Sequence, residues 1–217
     1  MKPTRDTAYL TIATSIISAL MVLIIHFSQG LSLTVSLAIR AVFSFIPMIC
    51  FAWLMIFIIS ILKYTQEKTF IVNVFIIYLA YNILQNLVNF SIGFLGISPD
   101  QILLYYQANG FINLLAVILL VVMTFALRET GFRLSLRVFA LSELFIMGFY
   151  MLIPPLLNFL GITNYNDYYK YIGFVYLVIP ASGLYIAVTA LNIINNQQQP
   201  FYPTNKPDWP PYDKPGM

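Results

Sequence analysis

Charge is scarce in this chain. Eleven Lys and Arg, eight Asp and Glu and one His are spread over 217 residues, so the charged fraction is 9%. A soluble domain runs near 25%. A chain this poor in charge and 60% hydrophobic cannot cover a water-facing surface with polar groups. Lipid is its expected solvent, in line with a mean hydropathy of +0.83. Cysteine and histidine are almost missing, at one each. That excludes an intrachain disulfide, a Cys/His zinc site and bis-His haem ligation. Asp6, Asp100, Asp167, Asp208 and Asp213 all fall outside the apolar runs, which removes a paired intramembrane aspartyl dyad. No His-Glu-x-x-His, P-loop, nucleophile elbow, arginine-repeat voltage sensor or potassium-filter sequence occurs. With so few nucleophiles and metal ligands, no enzyme and no cofactor are expected. A net charge of +3 with no basic cluster gives no reason to expect a nucleic-acid partner.

What the chain does have is six apolar runs, at 8–27, 41–62, 70–96, 108–127, 138–161 and 172–194. Each has the roughly 20 residues an α-helix needs to cross about 30 Å of hydrocarbon. None shows the short alternating strands of a barrel. The expected fold is all-α, a polytopic six-helix transmembrane bundle. The first run follows Lys2 and Arg5 as a signal peptide would. It is too long for such a core, though, and His26-Phe27-Ser28-Gln29 offers no small-residue cleavage site. It reads as a retained span.

Lysine and arginine set the expected orientation. Lys2, Arg5, Lys63, Lys68, Arg128, Arg133, Arg137, Lys206 and Lys214 fall on one side of a six-span arrangement, and only Arg40 and Lys170 on the other. By the positive-inside bias both termini are cytoplasmic, in a multi-pass protein of the cell membrane. Tyr105, Tyr106, Tyr165, Tyr168, Tyr169 and Tyr171 mark the opposite face, as an interfacial aromatic belt does. Residues 31–40 alternate apolar and polar positions, so they form either an extended outer loop or an early start of the second helix.

A parallel duplication is one reading of the third to sixth spans. Phe94-Leu95-Gly96-Ile97-Ser98 resembles Phe159-Leu160-Gly161-Ile162-Thr163. Tyr-Tyr-x-x-x-Gly-Phe opens both the fourth span, at Tyr105, and the sixth, at Tyr168.

The strongest polar signal lies in the third span. Asn82, Gln85, Asn86 and Asn89 stand at i, i+3, i+4 and i+7, on one helical face. An unpaired amide in hydrocarbon costs several kcal/mol, so this face must meet other helices or water. Asn113 on the fourth span and Asn158 on the fifth are further partners. Glu143 is the only ionisable residue well inside a span. It stands five residues into the fifth by the hydropathy boundary, and an intramembrane carboxyl is by default a proton-relay candidate. It could instead be an interfacial residue reaching water or the arginines before it. Pro154, Pro155 and Pro180 interrupt the helix ladder and are candidate hinges. The amides either knit helices together or line a path for an uncharged polar solute.

Residues 195–217 carry Asn and Gln, then six of the twelve prolines, interleaved with Phe201, Tyr202, Trp209 and Tyr212. This is a disordered cytoplasmic tail with polyproline character. The expected function is a small permease-like or channel-like protein for a neutral polar solute or protons. The alternative is a non-catalytic scaffold or accessory subunit. Besides the lipid bilayer, a membrane-protein partner or a second copy of the chain are the partners to expect.

Overall fold

A computed structural model of the protein describes residues 3–30, 37–92, 99–128, 130–161 and 173–198. They form six long α-helices: α1 Arg5–Gly30, α2 Leu37–Tyr64, α3 Thr69–Ile92, α4 Pro99–Phe125, α5 Thr130–Phe159 and α6 Val178–Gln198. A 3-10 segment, Gly173–Leu177, leads into α6. No strand occurs among the described residues. All six helices contain a stretch long and apolar enough to cross a membrane, so the chain is an all-α, multi-pass integral membrane protein.

Local chemistry sets several helix ends. Thr4 caps α1, its hydroxyl accepting from the Thr7 amide at 3.3 Å while the Thr7 hydroxyl oxygen accepts from the Thr4 amide at 2.8 Å. α2 closes through Gln66, which adopts a left-handed φ of 54°, and the Glu67 amide donates back to the Leu62 carbonyl at 3.0 Å. Gly161, at φ 72°, follows the end of α5.

The helices form a ring. Each packs on its neighbour in sequence, and α6 returns to pack on α1. Outward-facing side chains such as Ile77, Leu104, Leu115 and Leu152 are exposed and apolar, as a lipid-facing surface requires. Inside, the two halves of the ring differ. Toward the end bearing Lys63, Lys68 and Arg128, a dry core packs Met55, Ile58, Ile61 and Leu62 against Ile71, Phe75, Leu120, Leu136, Phe139 and Ile186. Toward the opposite end the interior holds a cavity.

Several boundaries differ from the hydropathy reading. α4 begins at Pro99, nine residues before its apolar run. α5 begins eight residues earlier than its apolar run, so Arg133 and Arg137 ride on a helix and not in a loop. The Arg133 guanidinium donates to the carbonyls of Leu127 at 2.8 Å and Arg128 at 3.1 Å. Arg137 Nε reaches the Thr124 carbonyl at 3.5 Å, and its guanidinium lies 4.4 Å from the centre of the Phe125 ring. Both cations thus satisfy the carboxyl end of α4, where the helix dipole favours positive charge. α2 starts at Leu37, so the second reading of segment 31–40 holds for its last four residues; 31–36 lie outside the described residues. α6 runs to Gln198, so the polar tract at its end is helical, and the rest of the tail lies outside the described residues.

The two Tyr-Tyr-x-x-x-Gly-Phe motifs are not locally alike where they can be compared. Gly110-Phe111 lies within α4, whereas Gly173-Phe174 opens the 3-10 segment. Tyr165, Tyr168, Tyr169 and Tyr171 lie outside the described residues.

Candidate functional site

The cavity has a volume of about 320 Å3 and is walled by every helix except α1. α3 contributes the face Asn82, Gln85, Asn86 and Asn89, which climbs ~10 Å along the helix axis. α2 contributes Pro47, Met48 and Phe51; α4, Asn113 and Val117; α5, Glu143, Ile146, Met147 and Tyr150. Tyr176 and Ile179 close the wall from the start of α6. Six of the seven polar residues singled out in the sequence therefore converge on one space. The seventh, Asn158, falls near the end of α5, and its side chain is outside the described set.

Glu143 marks the deep end. With α5 starting at Thr130, it lies thirteen residues and ~20 Å into the helix, near the middle of the apolar stretch Gly131–Leu157. Arg133 and Arg137, possible partners by sequence, bond instead at the end of α4. Glu143 is only 9% exposed. Its Oε2 accepts from the Tyr78 hydroxyl at 3.1 Å, and its Oε1 is buried without a hydrogen-bond partner. Tyr78, itself 3% exposed, stacks edge-on to Phe51, which also meets Phe139 at 6.4 Å. Phe51 closes the deep end of the cavity, and Tyr78 and Phe139 behind it belong to the packed core.

Asn113 sits about one turn above. Its Nδ2 donates to the Met147 sulfur at 3.5 Å, which turns its Oδ1 the other way; that oxygen is buried and unpaired. Asn89 Oδ1, nearer the far end, is likewise buried and unpaired. The amides of Asn82 and Asn86 donate along their own helix, to the carbonyls of Tyr78 at 2.9 Å and Asn82 at 2.8 Å. Such bonds do not tie α3 to a neighbour. The tie between α3 and α4 comes from outside the amide face: Tyr81 donates to Asn109 Oδ1 at 2.8 Å. Near the mouth the rings of Tyr150 and Tyr176 lie 5.1 Å apart, tilted by 31°.

The prolines do not break their helices. α2 continues through Pro47 and α5 through Pro154 and Pro155, whereas Pro180 stands in the first turn of α6, where no intrahelical donor is needed. Cys50 is a free thiol, buried on α2. Among the described residues no three His, Cys, Asp or Glu side chains gather into a metal site.

The Tyr78–Glu143 pair escaped the sequence reading. The residues are 65 positions apart, and no periodicity within one helix links them. No family model matches the chain, and no curated protein or solved structure is significantly similar to it.

Proposed function

We propose that the protein is a small permease-like or channel-like membrane protein that takes a polar solute, or protons, into the cavity between its helices. The observation that supports this most is the state of the cavity's polar groups. Three buried oxygens, on Asn89, Asn113 and Glu143, have no protein partner. In hydrocarbon each unmet group costs several kcal/mol, so water or a solute is their natural complement. Amides that served only to knit helices would be spent on interhelical bonds. Two on this face bond instead to their own backbone.

The excess of Lys and Arg on one face supports cytoplasmic termini in the cell membrane. The cavity then lies in the outward half. A dry inner half makes this an outward-facing state, and transport needs a second arrangement in which the floor at Phe51, Tyr78 and Glu143 parts. Protons could pass along Glu143 without that larger change.

Cysteine accessibility tests the reading. In a Cys50→Ala background, Asn113→Cys is expected to react with a membrane-impermeant thiol reagent added outside sealed vesicles. Failure to react from either side, while Asn164→Cys reacts normally, would mean a dry seam. The protein would then be better read as a scaffold or accessory subunit, with a partner membrane protein or a second copy to be sought.

A further inference from the structure

The unpaired buried oxygens of the cavity are all hydrogen-bond acceptors: Glu143 Oε1, Asn113 Oδ1 and Asn89 Oδ1. The assignment at Asn113 is fixed by its neighbour, because a thioether sulfur can only accept and so holds the amide nitrogen toward itself. An occupant that completes the site must therefore bring donors. It must also suit the wall, which among the described residues holds one carboxyl group and no Lys, Arg or His. The other titratable groups described at the site are phenols, Tyr150 and Tyr176 in the wall and Tyr78 behind Glu143.

Apart from Asn82, whose amide nitrogen is taken by the Tyr78 carbonyl, the deep end is mostly apolar. Phe51, Val117, Ile146 and Met147 surround the Glu143–Asn113 level, and the paired rings of Tyr150 and Tyr176 stand over it. An inorganic cation needs some six or more oxygen ligands for calcium or magnesium, and this level offers too few. Apolar and aromatic walls instead suit an organic substituent, and aromatic faces attract its positive charge.

We propose that the cavity is a binding site for a small organic monoammonium ion. Its N–H groups are accepted by Glu143 Oε1 and Asn113 Oδ1, its substituent lies against Phe51, Met147 and the Tyr150–Tyr176 pair, and Asn89 holds water at the wider end. The inference rests on the reading of the cavity as a solute site and names the class of solute. It departs from the uncharged solute expected from sequence because a buried carboxyl group lines the cavity. The volume, about 320 Å3, is at the small end of ligand pockets.

The test uses the whole protein in detergent and n-butylammonium as probe, read by equilibrium dialysis of labelled probe and by the thermal unfolding midpoint. Saturable binding is expected, with n-butanol, butyrate, sodium and tetramethylammonium failing to compete. Glu143→Gln, which keeps an acceptor for Tyr78 but removes the charge, should weaken binding at least about tenfold. Asn113→Leu should weaken it by several-fold. Equal competition by butanol or butyrate, competition by sodium, unchanged binding in Glu143→Gln, or no saturable binding to the wild-type protein would each overturn the proposal. The dialysis arm on the wild-type protein stands even if a variant fails to fold. If Asn113→Cys is labelled but butylammonium does not bind, only the solute class fails. If Asn113→Cys is not labelled, the functional reading fails with it.

Discussion

At Gly183 α6 packs closely on α1 and α2. A Cβ added there would lie 2.7 Å from Ser15 Oγ and 3.1 Å from Leu54 Cδ2. Both neighbours are buried, at 4% and 3% exposure, so neither has free space to move into. Gly183→Ala should destabilise the bundle by roughly 1–3 kcal/mol, the usual cost of overpacking. Ser15→Ala in the same chain should recover much of that loss by removing the atom that is struck. Unfolding of the two single variants and the double variant in a denaturing-detergent titration measures the coupling. Recovery no better than additive would mean that Leu54, not Ser15, limits the approach. At this scale the sequence was informative about which residues are unusual. Four amides at helical spacing and a single carboxyl in an apolar run stand out because hydrocarbon penalises them. It was silent about partners, since Tyr78 reaches Glu143, and Trp53 Nε1 reaches Thr11 Oγ1 at 3.1 Å, only after helices pack.

Between elements, the turns on the basic face are linked by Glu67. It lies between α2 and α3, is 7% exposed, and its Oε1 accepts from the backbone amide of Arg128 at 2.9 Å, just beyond α4. This charge-assisted bond ties the α2–α3 turn to the α4–α5 turn across the end of the dry core. Glu67→Ala should cost about 1–3 kcal/mol and speed hydrogen exchange of the Arg128 amide about tenfold or more, with the cavity residues unaffected. An unchanged Arg128 exchange rate would show that the turn is held by other contacts. The helix boundaries teach the same lesson. Hydropathy stops a span at an arginine because it scores side chains singly. Arg133 and Arg137 can sit on α5 because the carbonyls ending α4 are within reach. That eight-residue shift puts Glu143 thirteen residues into α5.

Across the whole molecule, the ring is sealed in one half and hollow in the other. Leu120 on α4 is fully buried in the dry core, less than one turn beyond Val117, which lines the cavity. In the Cys50→Ala background, Leu120→Cys should stay unlabelled by an impermeant thiol reagent from both faces, while Asn113→Cys reacts from one. Labelling of Leu120→Cys would show a continuous aqueous path and favour a channel over an alternating carrier.

Composition alone determined that this chain lives in lipid, that it is helical, and that it crosses six times. In a bilayer core the backbone must satisfy itself, and apolar runs of that length have one stable solution. Periodicity within a helix also determined that Asn82, Gln85, Asn86 and Asn89 share a face. Only the tertiary structure decided what that face meets. Packing of α4 and α5 beside α3 set Asn113 and Glu143 opposite the amides and brought Glu143 to Tyr78. It left three acceptors unpaired and filled only the basic half with side chains. Those outcomes depend on contacts between residues far apart in the chain, where helix-helix packing, not hydropathy, sets the distances.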